Sequence, residues 1–291
     1  MVNPETKKEQ EAAVMLKGKG NNNPRLEARW LAEHAKRTGA DLFSLVERRL
    51  SNEPLQYILG EWEFYGNAFY VGEGVLIPRQ ETERLVDVAL CYIESQMNPT
   101  PIVADLCAGS GCVGLSIANR VDSNVFFVES QRQAAQYLVR NIDRYGLGER
   151  TETHFCSVFS QKLHKYLASP PFLADVIVAN PPYLTSDEMN SLQPEVQREP
   201  IEALYGGYDG LTFYRHLFRD WKRYLVQNGL FAVEVGNEQA DAVAELMKQA
   251  GFPRPIIHND YVGIKRVVSA VNVVSHVARR KGRLERPTPK F

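Results

Sequence analysis

The run Val103-Ala104-Asp105-Leu106-Cys107-Ala108-Gly109-Ser110-Gly111 constrains the fold of this chain more than any other stretch. Ile102–Leu106 is apolar and reads as a strand, and Val113–Asn119 reads as a helix. Between them, glycines let the backbone turn tightly and let a ligand approach closely, because no Cβ stands in the way. The same rhythm then repeats. Val125–Val128 is followed by the helical pattern Arg132–Tyr145, Asp175–Ala179 and Leu230–Val235 are further apolar strands, and Glu238–Gln249 is a helix ended by Gly251. Strand, helix, strand in this order implies an α/β fold, a parallel sheet with helices on both faces.

The front of the chain has a different character. Residues 1–24 are rich in Lys, Glu, Asn and Gly and are expected to form a flexible arm. From Arg25 to Leu50 two amphipathic helices are expected, one with Leu26, Trp30, Leu31 and His34 on a stripe, the other with Leu42, Leu45, Val46 and Arg49. Asn52-Glu53-Pro54 breaks the pattern, and Trp62 to Val71, around Tyr65-Gly66-Asn67, reads as a β-hairpin. Thr82 through Gln96 is again amphipathic. The expected organisation is an arm (1–24), a helical unit with a hairpin linker (25–77), the α/β domain (78–270) and a tail (271–291) holding Arg279, Arg280, Lys281, Arg283, Arg286 and Lys290.

With 34 Lys and Arg against 35 Asp and Glu, the net charge is −1, which gives no global excess of positive charge for a nucleic-acid coat protein. Nucleic acid is expected at most through the basic tail. Cys91, Cys107, Cys112 and Cys156 form no C-x-x-C pair and no zinc-ligand spacing, so buried, reduced thiols and no metal are expected. Neither an apolar leader nor a stretch of about 18 apolar residues is present, so the expectation is a soluble, cytoplasmic protein with no membrane contact.

The glycine turn does not have the spacing of a P-loop. The next strand ends in Glu129, where a carboxylate can accept both hydroxyls of a ribose. NAD and S-adenosylmethionine remain, and Asp105, two residues before the turn, favours the second because a carboxylate there can sit near a cationic methionine moiety.

After the strand Asp175–Ala179 comes Asn180-Pro181-Pro182-Tyr183. Alone, such a tetrapeptide could be an ordinary turn. At the C-terminal end of a parallel strand it lies where open α/β sheets bind ligands. The two prolines fix φ and remove two backbone donors. The Asn180 side-chain oxygen and the Pro181 carbonyl then make two acceptors, which suit the two N–H donors of a planar –NH2 group. An amide nitrogen is a poor nucleophile. Gripping both its hydrogens favours a more pyramidal nitrogen and aims the lone pair at a methyl-sulfonium carbon, with positioning and electrostatics as the catalytic terms. The Tyr183 ring is expected to pack against the acceptor group.

Together these residues resemble the Rossmann-like class I methyltransferases, and within them the family that methylates the glutamine amide of peptide chain release factors. The resemblance runs from about Glu27 to Val268 and includes Glu53 to Gly60, Glu63-Phe64, Val75 to Glu83, the glycine turn, Asn180 to Tyr183, Arg198-Glu199-Pro200, Gly206 to Leu211 and Glu234-Val235-Gly236. It implies a mostly parallel sheet with the last strand antiparallel and a small N-terminal helical domain that grips the release factor around its Gly-Gly-Gln loop. It implies an S-adenosylmethionine site at Asp105, Cys107, Ala108, Gly109, Ser110, Gly111, Glu129, Ser157, Val158 and Asn180, with S-adenosylhomocysteine as product. Asn180, Pro181, Pro182 and Tyr183 would hold the substrate, with Asn180, Pro181 and Tyr183 catalytic. A ribosomal-protein substrate, or an adenine or cytosine amino group of nucleic acid, is the alternative; the segment Gln56 to Gly60 leans toward release factors and the net charge counts against nucleic acid. Two residues depart from the pattern. Cys107 replaces the first glycine of the turn, which is tolerable at an ordinary φ, and Ser157 replaces an Asp that usually meets the adenine amine.

Overall fold

The structure, a computed structural model, describes residues 4–18, 23–169 and 171–273. In chain order the main elements are α1 (Pro4–Gly18), α2 (Pro24–Thr38), α3 (Leu42–Leu50), α4 (Leu55–Leu59), β1 (Glu61–Phe64), β2 (Asn67–Tyr70), α5 (Glu83–Glu94), β3 (Ile102–Leu106), α6 (Cys112–Ala118), β4 (Asn124–Glu129), α7 (Arg132–Tyr145), β5 (Thr151–Phe155), α8 (Gln161–Leu167), β6 (Ala174–Ala179), α9 (Ser186–Met189), α10 (Ile201–Leu204), α11 (Thr212–Asp220), β7 (Leu225–Glu234), α12 (Ala240–Gln249), β8 (Ile256–Asn259) and β9 (Lys265–Val271). No helix is long and apolar enough to cross a membrane among the described residues.

Seven strands form one sheet in the order β5-β4-β3-β6-β7-β9-β8. All its pairings are parallel except those of β9, which runs antiparallel to both neighbours. The central strands are apolar on both faces because helices cover both: Ala104, Leu106, Phe126, Ile177 and Phe231 belong to one core cluster, Val103, Val125, Phe127, Val176 and Ala232 to the other. The register fixes the site. Leu106 pairs with Val128 and with Ala179, and Ala179 pairs with Val233. The residues that follow, Cys107, Glu129, Asn180 and Glu234, therefore leave the sheet side by side on its C-terminal edge. After β3 the chain proceeds outward to β4 and β5, then returns to place β6 on the other side of β3. That reversal is the switch point where open α/β sheets hold ligands.

The expectation of a flexible arm over 1–24 is corrected over Pro4–Gly18; residues 1–3 and 19–22 lie outside the described residues. Pro4–Gly18 is helix α1, and its Ala12 and Leu16 are completely buried against Ala28, Leu31, Leu45 and Val46. Ala12 and Leu16 are one helical turn apart and so share a face; their burial outweighs the polarity of the rest of the segment. The expected helices and hairpin of the front unit are otherwise present. Arg49, buried on α3, pairs with Glu27 at 2.8 Å and Glu195 at 2.7 Å, tying this unit to a loop of the α/β domain. Asn141 of α7 joins the hairpin to the glycine turn: its amide donates to the carbonyls of Ser110 (2.9 Å) and Tyr70 (3.1 Å) and accepts from Tyr70 N–H at 2.7 Å. The thiols are all free, but Cys91 is exposed rather than buried.

The condition under which Cys107 would be easily tolerated, an ordinary φ, is not met: its φ is 62°, in the left-handed region, followed by Gly109 at 56° and Gly111 at 80°. A side chain costs roughly 1–2 kcal/mol there because Cβ crowds the carbonyl. The cost is held by its surroundings, since Cys107 packs against the core cluster. Gly111 has a second reason to be glycine, because a Cβ there would lie 2.4 Å from Leu138 Cδ1.

Two outcomes test these points. Cys107→Gly is expected to match or exceed the parent in urea denaturation, whereas Cys107→Val, with a branched Cβ at positive φ, loses about 1 kcal/mol or more. Leu16→Ala is expected to cost at least about 2 kcal/mol in the same measurement, as for other buried leucines; an unchanged midpoint would return residues 1–24 to the status of an arm.

Candidate active site

A cavity of about 370 Å³ opens at the C-terminal edge between β3, β4 and β6. The glycine turn forms one wall, Glu129 to Gln131 a second, and Ser157 and Val158 a third. Asn180 and Pro182, Arg79, Pro200 to Ala203 and Tyr205 also line it. Of the residues expected to bind a cofactor, Asp105, Cys107, Ala108, Gly109, Ser110, Glu129, Ser157, Val158 and Asn180 line this space. Gly111 does not; it starts α6 and packs against Leu138. Pro181 and Tyr183 are not in the lining either.

Glu129 is 7 % exposed. Its Oε2 accepts from Gly109 N–H at 2.8 Å and its Oε1 from Gln131 N–H at 2.7 Å. A carboxylate has about four acceptor sites, so two remain for hydroxyls. Burial raises its pKa, and the backbone N–H groups oppose the rise. Asp105 sits deeper, with Oδ2 accepting from Gly114 N–H at 2.8 Å, and burial pushes it up to about 8. A cation in the cavity would draw it back down. The Ser157 hydroxyl accepts from Phe159 N–H at 3.1 Å, which leaves it a proton to donate and a further lone pair.

The Asn180 to Tyr183 corner is rigid for reasons beyond its prolines. Leu184 N–H donates to the Leu204 carbonyl and Gly206 N–H to the Leu184 carbonyl, both at 2.8 Å, and Gln239 donates to the Tyr183 carbonyl at 2.9 Å. Gly206 is pressed so close that a Cβ would lie 2.6 Å from the Tyr183 Cα, and a Cβ at Gly210 would lie 2.3 Å from the Tyr183 oxygen. The Tyr183 ring packs against the core cluster, with Cδ2 2.9 Å from where a Cβ of Gly236 would stand. The ring thereby braces the corner against the core. The Asn180 amide donates to Thr82 Oγ1 at 3.3 Å, and among the described residues neither its oxygen nor the Pro181 carbonyl accepts a hydrogen bond. Two acceptors therefore stand unpaired at the corner.

Several residues of the site escaped the sequence reading of individual roles. Arg79 is ion-paired with Glu199, which is 4 % exposed and also accepts from Ile77 N–H at 3.0 Å. That pair fastens the segment before α5, whose Arg79 lines the cavity, to the loop before α10. The signal was present as two separate short motifs, but nothing local joins residues 120 apart. Thr82 and Glu234, both buried, adjoin Asn180 from behind. The one group of metal-capable side chains among the described residues, His164, His216 and Asp220, does not line the cavity, and Arg219 occupies both Asp220 oxygens.

A family described as "Conserved hypothetical protein 95" matches residues 89–201. A release factor glutamine methyltransferase of Thermodesulfovibrio yellowstonii is 40 % identical over 229 residues, 77 % of this chain and 78 % of that protein. One from Geobacter sulfurreducens is 37 % identical over 272 residues, 87 % and 91 %. Among solved structures, the hMettl16 catalytic domain in complex with the MAT2A 3'UTR hairpin 1 superposes with a TM-score of 0.57 at 12 % identity, covering 94 % of this chain and 95 % of that one, which speaks to the fold alone. The Rossmann-like class I sheet, its braced Asn-Pro-Pro-Tyr corner and these relatives together place the chain in the release factor glutamine methyltransferase family.

Proposed function

We propose that the protein transfers a methyl group from S-adenosylmethionine to the side-chain amide nitrogen of the glutamine in the Gly-Gly-Gln motif of peptide chain release factors. The observation that carries this reading is the pair of unpartnered acceptors among the described residues, Asn180 Oδ1 and the carbonyl of the adjoining Pro181, in the corner whose Asn180 and Pro182 line the cavity. The residues lining the cavity suit the donor. Glu129 has acceptor sites left for ribose hydroxyls, Asp105 is a buried acid that a cationic ligand would ionise, and Ser157 offers a hydroxyl toward a base. The donor, when bound, supplies an electrophilic methyl on a sulfonium.

The chain's own part is geometric. Asn180 and Pro181 receive both amide hydrogens of the glutamine, which holds the nitrogen with its lone pair toward the cavity. As the new N–CH3 bond forms and the S–CH3 bond breaks, positive charge moves from sulfur onto the amide. The two oxygens oppose that charge, and one amide proton leaves afterwards to water. No strong base is required to assemble the complex. The Arg79–Glu199 pair ties the segment before α5, part of the cavity lining, to the loop before α10.

The groove between the helical unit and the hairpin, bordered by Trp30, Arg37, Trp62 and the carboxylates of Glu33, Glu61, Glu63 and Glu83, is where the release factor would be gripped. With Arg29 and Arg144 paired to Glu33 and Glu61, the groove sets four glutamates against three arginines, which gives no excess of positive charge for a phosphate backbone and so counts against a nucleic-acid substrate. The basic segment expected over 271–291 lies almost wholly outside the described residues. A cytoplasmic location fits a substrate of the translation machinery.

Incubation with labelled donor and a release factor, parent against a Gly-Gly-Ala variant, tests the substrate: label should appear on the first and vanish with the second, and label on RNA or DNA instead would contradict the proposal. Asn180→Ala should lower turnover by about 10²-fold or more while donor affinity stays within about tenfold. Glu129→Ala should act mainly on donor affinity; unchanged affinity by calorimetry would take Glu129 out of the site.

A further inference from the structure

Glu234 ends β7 beside Asn180 and is completely buried, and among the described residues neither of its carboxylate oxygens has a hydrogen-bond partner of good geometry. A buried carboxylate without a partner is costly, and no structural duty explains it. The two cations that act on it have other contacts: Arg79 pairs with Glu199, and Arg266 donates through Nη1 to the Val235 carbonyl and lies 3.5 Å from Asp260, with its buried Nε without a hydrogen-bond partner among the described residues. The side chain that faces it is Thr82, 2 % exposed. Thr82 Oγ1 already accepts from the Asn180 amide, so its own proton is free to be given to an acceptor.

An Asn amide can sit either way round, and only one orientation puts its oxygen toward the cavity. We propose that Glu234 is a positioning residue for the methyl-accepting amide, acting through the Thr82 hydroxyl to hold Asn180 with its oxygen facing the substrate. This rests on the role given to Asn180 above. With Glu234 ionised, Thr82 donates to the carboxylate, must accept from Asn180 Nδ2, and so leaves Oδ1 outward. With Glu234 protonated, the carboxyl donates to Thr82, the hydroxyl turns its proton toward Asn180, and the amide flips to present N–H groups, which repel the donors of the substrate amide.

Burial pushes Glu234 up to about 7, with the Thr82 hydroxyl opposing. The other ionisable groups facing it are Glu81 and Arg79 before α5, Arg266 on β9, Tyr183 after β6, Tyr214 on α11 and Cys112 on α6. The sign follows: the raised carboxyl loses its proton as pH rises through neutrality, so the competent Asn180 orientation gains population over the same range.

The test is kcat against pH at saturating donor and release factor, for the parent, Glu234→Gln, Thr82→Val and Thr82→Ser, with donor affinity measured alongside. The parent should gain turnover between about pH 6 and about pH 8, and Glu234→Gln should lose that rise. At the upper end Glu234→Gln and Thr82→Val should be at least about tenfold slower with donor affinity within about threefold, and Thr82→Ser should recover most of the turnover. A Glu234→Gln profile that superposes on the parent, or full turnover in Thr82→Val, overturns the inference. Thr82→Val carries the test should Glu234→Gln fold poorly. Asn180→Ala in the same series separates the two levels. If it stays active, the reading of Asn180 is wrong; if it is inactive while the Glu234 and Thr82 variants match the parent, only the present inference fails.

Discussion

The parallel register of four central strands is the constraint on which the site depends. Because Leu106, Val128, Ala179 and Val233 stand level, the next residue of each strand reaches the same edge of the sheet. Glu129, Asn180 and Glu234 come from segments far apart in sequence, yet no loop has to carry any of them into place. The strands themselves are fixed by apolar residues on both faces, so a slip of register would break two core clusters at once. The polar groups of the site are thus stabilised by burial that has nothing to do with their chemistry.

Around that edge, rigidity is built in layers. The prolines remove backbone freedom from the corner, the carbonyl and amide of Leu184 tie it to residues 204–206, and the Tyr183 ring fills the space beneath. Gly206 and Gly210 are needed because the tetrapeptide lies within van der Waals contact of their backbone. Rigidity has a chemical purpose here, since acceptors that must meet two N–H donors together lose most of their value if either can swing. The site also stores unfavourable terms, in the left-handed Cys107 and in the buried acids Asp105 and Glu234, whose pKa values of about 8 and about 7 mark the strength of their burial. Such terms gather where a ligand relieves them or a mechanism uses them.

Much of this was legible in the sequence, and the failures have physical causes. The β3–turn–α6 unit, the strand before Asn180 and Glu129 at the end of β4 show themselves through short apolar runs that stop at polar or glycine residues. α7 was visible to the residue because its apolar stripe is wide and regular. By contrast β5, Thr-Glu-Thr-His-Phe, lies at a sheet edge half in solvent and has no apolar signature. α1 was hidden because two buried side chains are enough to dock it and a polar composition masks them. The φ of Cys107 was left open by the sequence, because the tertiary packing that holds a non-glycine residue in the left-handed region is not local. Thr82, Asn141 and Glu199 act on partners 71 to 122 positions away, a distance over which sequence pattern carries no pairing information.

The central claim is that a glutamine carboxamide is clasped by the Asn180 side-chain oxygen and the Pro181 carbonyl. A crystal structure of the protein with S-adenosylhomocysteine and a peptide containing Gly-Gly-Gln addresses it directly. The account predicts the glutamine amide nitrogen within about 3.2 Å of both oxygens, an ordinary hydrogen-bond distance, with Asn180 Nδ2 still on Thr82. A glutamine side chain seated elsewhere in the cavity, or an Asn180 whose nitrogen faces the peptide, would contradict it.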